Sequence, residues 1–462
     1  MKKTLTILLS LLFLLPVSAE QKAAEKKDSP VKEHLQNHFK LYGFIRNFFV
    51  YDSRDSKAGT GDLFYYLPLD NKWNTSVETD PAREDLNASP NFRFLALTSR
   101  VAFDVSGYYI NNLHFGAKVE GDFYSGLAAA KTANGLSGNT SVSGTAQARL
   151  RQAYVTLTWK DLPMRNDKTA QVGLKIGQAW HPMAADMPHV FSLEAGAPFG
   201  PFSRTPQVTM DAALGEHWIL SAAAIWQQQY QSAGPDGASA AYMKYACTPE
   251  VFAAVTLKGK EVLFRGGVDV VSIKPRNIGK NADGLTVHVK DRKTSVLGYL
   301  YGQYNHKLLS IKAKTTFGEG GEHMNLMSGY AVVDKTDPTN WKYASMVNSS
   351  SWLSLCYGKK WQGVLYLGYV KNFGLAKTAG KQLAKEDVYF CGNGFSNINQ
   401  MYRINPQLLY NLGKFTLGLE YQWTAVQYGE YVNGMLNDCA LATENLHWVG
   451  NHRLNMMVKF TF

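Results

Sequence analysis

The sequence predicts an all-β fold, a transmembrane antiparallel β-barrel of about sixteen strands with short turns at one end and long loops at the other. Three observations predict it: an N-terminal export signal, repeated segments of alternating apolar and polar residues, and an aromatic residue, Phe462, at the last position. After Ala19, no segment has the roughly 18 consecutive apolar residues that a membrane-spanning helix needs.

The N-terminus has the pattern of a secretory signal peptide. Lys2 and Lys3 precede an apolar run from Leu5 to Leu15, which ends in Pro16 and the small-residue triplet 17–19. We expect cleavage after Ala19 and export to the outer membrane of a Gram-negative cell. Residues 20–38 are polar and predict a periplasmic lead-in, and the barrel is expected over 39–462.

Composition indicates one continuous architecture. Aromatic residues make up 13% of the 462 positions, prolines number only 16, and no Pro- or Ser-rich linker divides the chain. The formal charge is +11, of which Lys2 and Lys3 contribute two. The basic residues are scattered, without a nucleic-acid motif, and export argues against nucleic acid as a partner.

Four cysteines, Cys247, Cys356, Cys391 and Cys439, are far apart and form no C-x-x-C pair, so a zinc site built from cysteine is not expected. An oxidising compartment permits a bond between Cys391 and Cys439. Buried thiols are the alternative, and the sequence does not choose between them.

The strands follow from period-two alternation. In the last one, Leu454, Met456 and Val458 share one face while Asn455 and Lys459 share the other. In a barrel this large the apolar face contacts lipid and the polar face contacts the lumen. Counting such segments predicts strands at 39–53, 92–106, 112–124, 148–159, 169–179, 205–213, 217–230, 249–258, 261–273, 293–305, 307–317, 350–358, 361–371, 400–411, 414–427 and 451–462.

The connections alternate in length, as expected for short periplasmic turns and long outer loops. Tight turns are predicted at 215–216, 258–260, 305–306, 359–360 and 413–414. The long loops are predicted at 54–91, 125–147, 180–204, 274–292, 318–349, 372–399 and 428–450.

About sixteen strands leave a water-filled lumen, whereas about eight are filled by side chains. We therefore expect passive diffusion of small hydrophilic solutes. Alternation points several charged residues into the lumen, and the alternative role for each is a structural ion pair across the wall. The residues predicted to line the pore are Arg46, Arg100, Lys118, Glu120, Arg265, Lys312, Lys314, Arg403 and Glu420.

The segment 181–204 is more apolar than the other loops and contains four prolines. Such a loop is costly in water, so it is expected either to fold into the lumen as a constriction or to pack on a neighbouring subunit. We favour the constriction. Its polar residues are His181, Asp186, His189, Glu194 and Arg204.

No catalytic, metal or cofactor motif is present, so the sequence predicts neither an enzyme nor a bound cofactor. Two other functions stay open. Loops 54–91 and 318–349 could bind a ligand, a host surface or a lipoprotein, and a barrel wall can carry a catalytic set acting on lipid or peptide. About twenty-two strands and a plug, as in TonB-dependent transporters, do not fit this length.

Three short motifs are Leu41–Arg46 leading to Tyr51 and Asp52, Arg149–Tyr154, and Gly177–Trp180. Together they resemble the DcaP-like porins. The resemblance implies a homotrimeric outer-membrane channel in contact with lipid, a preference for anions, and pore roles for Arg46, Arg149 and Arg151. Alternation instead aligns Arg149 and Arg151 with lipid-facing Val155 and Leu157, unless a β-bulge intervenes. The lead-in is also shorter than the coiled-coil extension of some members.

Overall fold

The computed structural model describes residues 38–59, 64–96, 99–125, 130–131, 137–138, 146–165, 168–391 and 395–462. The predicted signal peptide and residues 20–37 of the predicted lead-in lie outside this part of the chain. No helix among the described residues is long and apolar enough to cross a membrane.

Within the described ranges, sixteen antiparallel strands close into a barrel, which confirms the predicted fold class. Their bounds are β1 Phe39–Asp52, β2 Asn91–Leu95 with Arg100–Ile110, β3 Leu113–Ser125, β4 Ala146–Pro163, β5 Thr169–Trp180, β6 Arg204–Leu214, β7 Trp218–Ile225, β8 Glu250–Lys258, β9 Val262–Ile273, β10 Lys293–His306, β11 Leu309–Glu319, β12 Lys342–Gly358, β13 Trp361–Leu375, β14 Ile398–Leu412, β15 Phe415–Glu430 and β16 Glu444–Thr461.

The sheet closes where β16 pairs with β1. Cα partners run from Phe44 opposite Thr461 to Asp52 opposite Arg453. Beyond them, the amide of Phe462 donates to the carbonyl of Gly43 at 3.1 Å. Closure leaves no sheet edge, and lipid requires this because an unpaired backbone group has no water to bind there.

The wall has its apolar face outside. In β16, Leu454, Met456 and Val458 are 40–51% exposed, while Arg453 and Asn455 are 3–4% exposed. The alternation read from the sequence is therefore the lipid and lumen alternation of a membrane barrel.

The connections differ at the two ends of the barrel. At the turn end, tight turns such as 215–217 and 413–414 join neighbouring strands. At the loop end, long connections carry short elements of their own: a helix, Ala241–Ala246, the 3-10 turns Glu322–Met324 and Lys385–Asp387, and the strands Ser56–Gly59, Phe64–Pro68, Ala130–Lys131, Ser137–Gly138, Ile278–Lys280, Thr286–His288, Gly329–Asp334, Leu383–Ala384, Val388–Phe390 and Met435–Leu436.

Strand bounds were mispredicted mainly at the loop end. β7 ends at Ile225 rather than at residue 230, so 226–249 is a further long connection that the alternation obscured. β12 and β16 begin earlier than predicted, at Lys342 and Glu444. Their strand pairing continues toward the loop end, beyond the alternating apolar residues from which the strands were predicted.

We expect Leu300→Arg to destabilise the barrel by about 2–4 kcal/mol, because Leu300 is 64% exposed on the outer face of β10 and a guanidinium there would enter hydrocarbon. Thr158→Arg is the control, since Thr158 lines a lumen cavity. Guanidinium unfolding in lipid vesicles measures both. Equal losses for the two variants would contradict the assignment of the faces.

Candidate functional site

The connection between β5 and β6, residues 181–203, packs against inward-facing side chains of the barrel; we call it the inner loop. On one side it is held by β9 and β11. Arg265 Nη1 lies 2.6 Å from Asp186 Oδ2, and Lys314 Nζ donates to the carbonyls of Met183 and Asp186 at 2.6 Å each. Lys312 Nζ donates to the carbonyl of Met187 at 3.3 Å.

On the other side the inner loop is held by β14, β15 and β16 through Glu194. Its Oε1 accepts from Gln422 Nε2 at 2.8 Å and lies 3.3 Å from Arg403 Nη1 and 3.5 Å from Arg453 Nη1. Glu194 is 2% exposed, so one buried carboxylate faces two guanidinium groups of the wall. The inner loop therefore reaches from β9 and β11 to β14–β16.

Apolar contacts between the inner loop and the wall add to these polar anchors. Phe199, fully buried, packs edge-on to Tyr366 and lies over Gly368, where a Cβ atom would come within 2.5 Å of its ring. The Tyr366 hydroxyl donates to the carbonyl of Gly196 at 2.9 Å. Phe191 stacks on Phe48 of β1 with 6.2 Å between ring centroids. The proline-rich, apolar composition of the segment thus serves packing inside the barrel.

Two further residues predicted in the segment 181–204, His189 and Arg204, also have partners inside the barrel. His189 Nε2 lies 2.9 Å from Ser310 Oγ. Burial, with Lys312 nearby, lowers the pKa of the His189 imidazole to about 4, so the ring is neutral at pH 7. Arg204, the first residue of β6, stacks over Trp180 at 4.9 Å and donates to Gln229 Oε1 at 3.1 Å.

A cluster of five arginines lies where the inner loop leaves space against the wall. Around a cavity of about 170 Å³ the structure brings together Arg46, Arg100, Arg149, Arg151 and Arg204, which we call the arginine cluster. Two carboxylates accept hydrogen bonds from this cluster. Asp122 accepts from Nε and Nη2 of Arg149 at 2.8 Å and from Nη1 of Arg151 at 2.7 Å. Glu120 accepts from Nε of Arg151 at 2.7 Å. Five positive charges thus face two negative ones.

A β-bulge explains why Arg149 and Arg151 both belong to this cluster. The β3–β4 ladder shifts register between Glu120 and Gly121, whose partners are Gln152 and Leu150, so Arg151 is the extra residue. On the turn-end side of the bulge Val155 faces outward, 48% exposed, whereas Arg151, within the bulge, is 6% exposed. Uninterrupted alternation was therefore wrong for these two residues, and the inward position implied by the resemblance is the one observed.

The remaining predicted pore-lining residues divide into two groups. Lys118 faces inward and contacts the Tyr42 hydroxyl and Asp104. Lys314, Arg403 and Glu420 also point inward but are at most 3% exposed. Lys314 and Arg403 hold the inner loop, and Glu420 accepts from Asn455 Nδ2 at 2.6 Å. Contrary to the sequence prediction, these three residues therefore do not line the open pore. Alternation along a strand tells which way a side chain points, but it does not tell whether other residues cover it.

Parts of the outer loops also pack inside. Tyr66 and Leu67 of the first long connection and Met324 and Leu326 of the β11–β12 connection are at most 3% exposed, in one apolar cluster with Phe199. The Tyr428 hydroxyl donates to the carbonyl of Pro68 at 2.6 Å. These segments of 54–91 and 318–349 are thus unavailable to an outside partner.

Sequence reasoning missed one polar cluster entirely. His181, Glu250 and Asp269 have ligand atoms within 4.8 Å of one another, and His323 lies beside the two carboxylates. Each of the four is at most 2% exposed, and we call them the four-residue cluster. Their separations along the chain carry no motif, and only the barrel brings them together.

The cysteine question is answered in favour of thiols. Cys439 is a partly exposed thiol, and the Cys391 thiol lies 3.9 Å from Asn325 Oδ1. The Cys391–Cys439 disulfide considered from the sequence is not formed.

A closed sixteen-stranded antiparallel barrel whose polar face is turned inward defines a porin-type membrane barrel. No family model and no curated sequence matches the chain. Among solved structures, the outer membrane channel DcaP of Acinetobacter baumannii matches with a TM-score of 0.57 at 16% identity, over 92% of this chain and 97% of that one.

An anion-selective porin from Comamonas acidovorans matches with a TM-score of 0.51 at 10% identity, over 92% of this chain and 99% of that one. At such identities the likeness shows the fold alone. The fold matches that of a DcaP-like porin, as the short motifs implied.

We expect Glu194→Ala to destabilise the protein by about 3–5 kcal/mol, because it removes the carboxylate that faces buried Arg403 and Arg453. Asp387→Ala is the control. Its partner Lys335 is 40% exposed, so the loss there is about 1 kcal/mol or less. Unfolding curves in lipid vesicles give both values, and a small loss for Glu194→Ala would mean that Glu194 does not hold the loop.

Proposed function

We propose that the protein is an outer-membrane porin that lets small hydrophilic solutes diffuse through its lumen, with a preference for anions. The observation that carries the proposal is the arginine cluster, with five guanidinium groups and two carboxylates around a cavity beside the inner loop. The inner loop is the constriction in this proposal, because its two sets of anchors reach from β9 and β11 to β14–β16.

Charge selection follows from geometry. A narrow passage with low-dielectric walls and an excess of one sign concentrates mobile ions of the opposite sign. Glu120 and Asp122 order Arg100, Arg149 and Arg151 and still leave positive charge in excess. Planar guanidinium groups suit carboxylate and phosphate oxygens, so small organic anions of these types are the solutes proposed.

A polar route continues toward the turn end. A second cavity of about 310 Å³ is lined by Thr156 and Thr158, which follow Arg151 along β4, and by Lys175, Asp211 and Ser221. These hydroxyl and charged groups, on β4 to β7, suit a path for hydrated solutes from the arginine cluster toward the turn end.

With this function we propose that the signal peptide at 1–19 directs export, that the barrel inserts into the outer membrane, and that it assembles as a homotrimer. The exposed apolar outer face of the barrel supports the lipid contact. The resemblance to DcaP-like porins supports the trimer, and chemical crosslinking of the detergent-solubilised protein tests it.

Replacing Arg46 and Arg100 together by Gln should move the reversal potential toward cations, because two positive charges leave the cavity while Arg151 stays paired. Bilayer recordings across a potassium chloride gradient measure the shift. The control is Lys258 and Lys260 replaced by Gln at the turn end, where the same change of charge lies outside the cavity. An equal shift of the reversal potential in both variants would show that the arginine cluster does not set the selectivity.

Deleting residues 183–200 should raise single-channel conductance and speed entry of larger solutes in liposome swelling, because it removes the proposed constriction. Deleting 279–287, from the largely exposed hairpin between β9 and β10, is the matched control and should change neither. Unchanged conductance without 183–200, in a barrel that still resists heat in detergent gels, would defeat the constriction.

A further inference from the structure

The four-residue cluster lies where two loops meet the wall. His181 is the first residue after β5, Glu250 begins β8, Asp269 lies in β9, and His323 lies in the 3-10 turn Glu322–Met324. His323 Nε2 is 3.2 Å from Glu250 Oε1 and 3.8 Å from Asp269 Oδ2, and His181 Nε2 is 3.7 Å from Asp269 Oδ1.

Several polar atoms of this cluster have no hydrogen-bond partner among the described residues. They are both ring nitrogens of His323, Glu250 Oε2 and Asp269 Oδ1, and the four side chains are at most 2% exposed. Although His323 Nε2 is close to Glu250, the contact lacks hydrogen-bond geometry. Leaving such groups unsatisfied in a buried site is costly, so their presence in one cluster points to something that binds among them.

The chemistry of the donors points to a divalent metal ion. Imidazole nitrogen and carboxylate oxygen are ligands of zinc and related transition metals. Two ligand atoms each about 2.0–2.1 Å from one tetrahedral ion lie about 3.3 Å apart. His323 Nε2 lies 3.2 Å from the Glu250 oxygen and 3.8 Å from the Asp269 oxygen, so a small movement of Asp269 brings the three atoms to this spacing. One divalent ion with two carboxylates and two neutral imidazoles also sums to zero charge, as burial favours.

We propose that Glu250, Asp269 and His323 bind one divalent transition-metal ion, with zinc the best fit. His181 has a different task. Its Nδ1 accepts the amide hydrogen of Met183 at 3.2 Å, so the neutral ring carries its hydrogen on Nε2 and donates to Glu250 Oε1 at 2.6 Å. His181 is therefore a positioning residue that orients Glu250 from outside the metal's own ligands.

The ion fastens loops to the wall. It joins the β11–β12 connection, through His323, to β8 and β9, and through Glu250 and His181 it fixes the start of the inner loop. Metal binding in this position adds to folding stability, since the unfolded chain does not preassemble the ligands. Metal binding at this cluster does not depend on transport by the barrel.

The test uses the full mature protein refolded with and without zinc, because the cluster is buried. Metal content after dialysis, by mass spectrometry of the element, should be one ion per chain, and melting temperature should rise with zinc. Cobalt should take the same place and give a visible absorption spectrum with an imidazole ligand. A folded barrel that retains no metal would overturn the proposal.

Variants separate this site from adventitious binding. Asp269→Asn and His323→Gln should each weaken metal binding at least tenfold. His306→Gln is the matched control, because His306 also contacts a carboxylate, Glu261, at 2.8 Å but both are about 40% exposed. If His323→Gln fails to fold, Asp269→Asn decides, since it removes a buried negative charge. Unchanged metal content in Asp269→Asn, or equal loss in His306→Gln, would refute the site.

Discussion

The structure depends on closure of the sheet between β1 and β16. Each strand of a membrane barrel must pair on both sides, because lipid offers its backbone no hydrogen bonds. The chain meets this by pairing Gly43 with its own last residue, Phe462. Once the sheet is closed at sixteen strands, the lumen is too wide for wall side chains to fill, so everything else in the molecule concerns how that space is occupied.

The inner loop occupies one side of the lumen. Its charged anchors are Asp186 with Arg265 and Glu194 with Arg403. Its apolar residues pack on the wall, as Phe199 does on Tyr366 and Gly368. Such an arrangement places a hydrophobic core inside a membrane barrel whose outer face is also apolar. The arginine cluster lies on the side that this core leaves open, which is why the proposed selectivity and the proposed constriction share one place.

Much of this was predictable from sequence, and for physical reasons. Alternation reports which face of a strand meets lipid, so the strand count, the class of fold and the inward direction of Arg46 and Arg265 followed from residues alone. Alternation fails where one residue is added, and nothing local marks the bulge at Arg151. It also overran at 226–230, because the connection after β7 begins with residues that continue the pattern. Contacts between distant elements, such as those of His181, Glu250 and His323, have no signature along the chain.

Current through the unmodified protein tests the central claim most directly. Reconstituted in a planar bilayer across a potassium chloride gradient, the protein should give a steady open conductance and a reversal potential of the sign that chloride selectivity produces. A silent barrel, or a reversal potential of the opposite sign, would contradict the account of a lumen narrowed by the inner loop and lined by the arginine cluster.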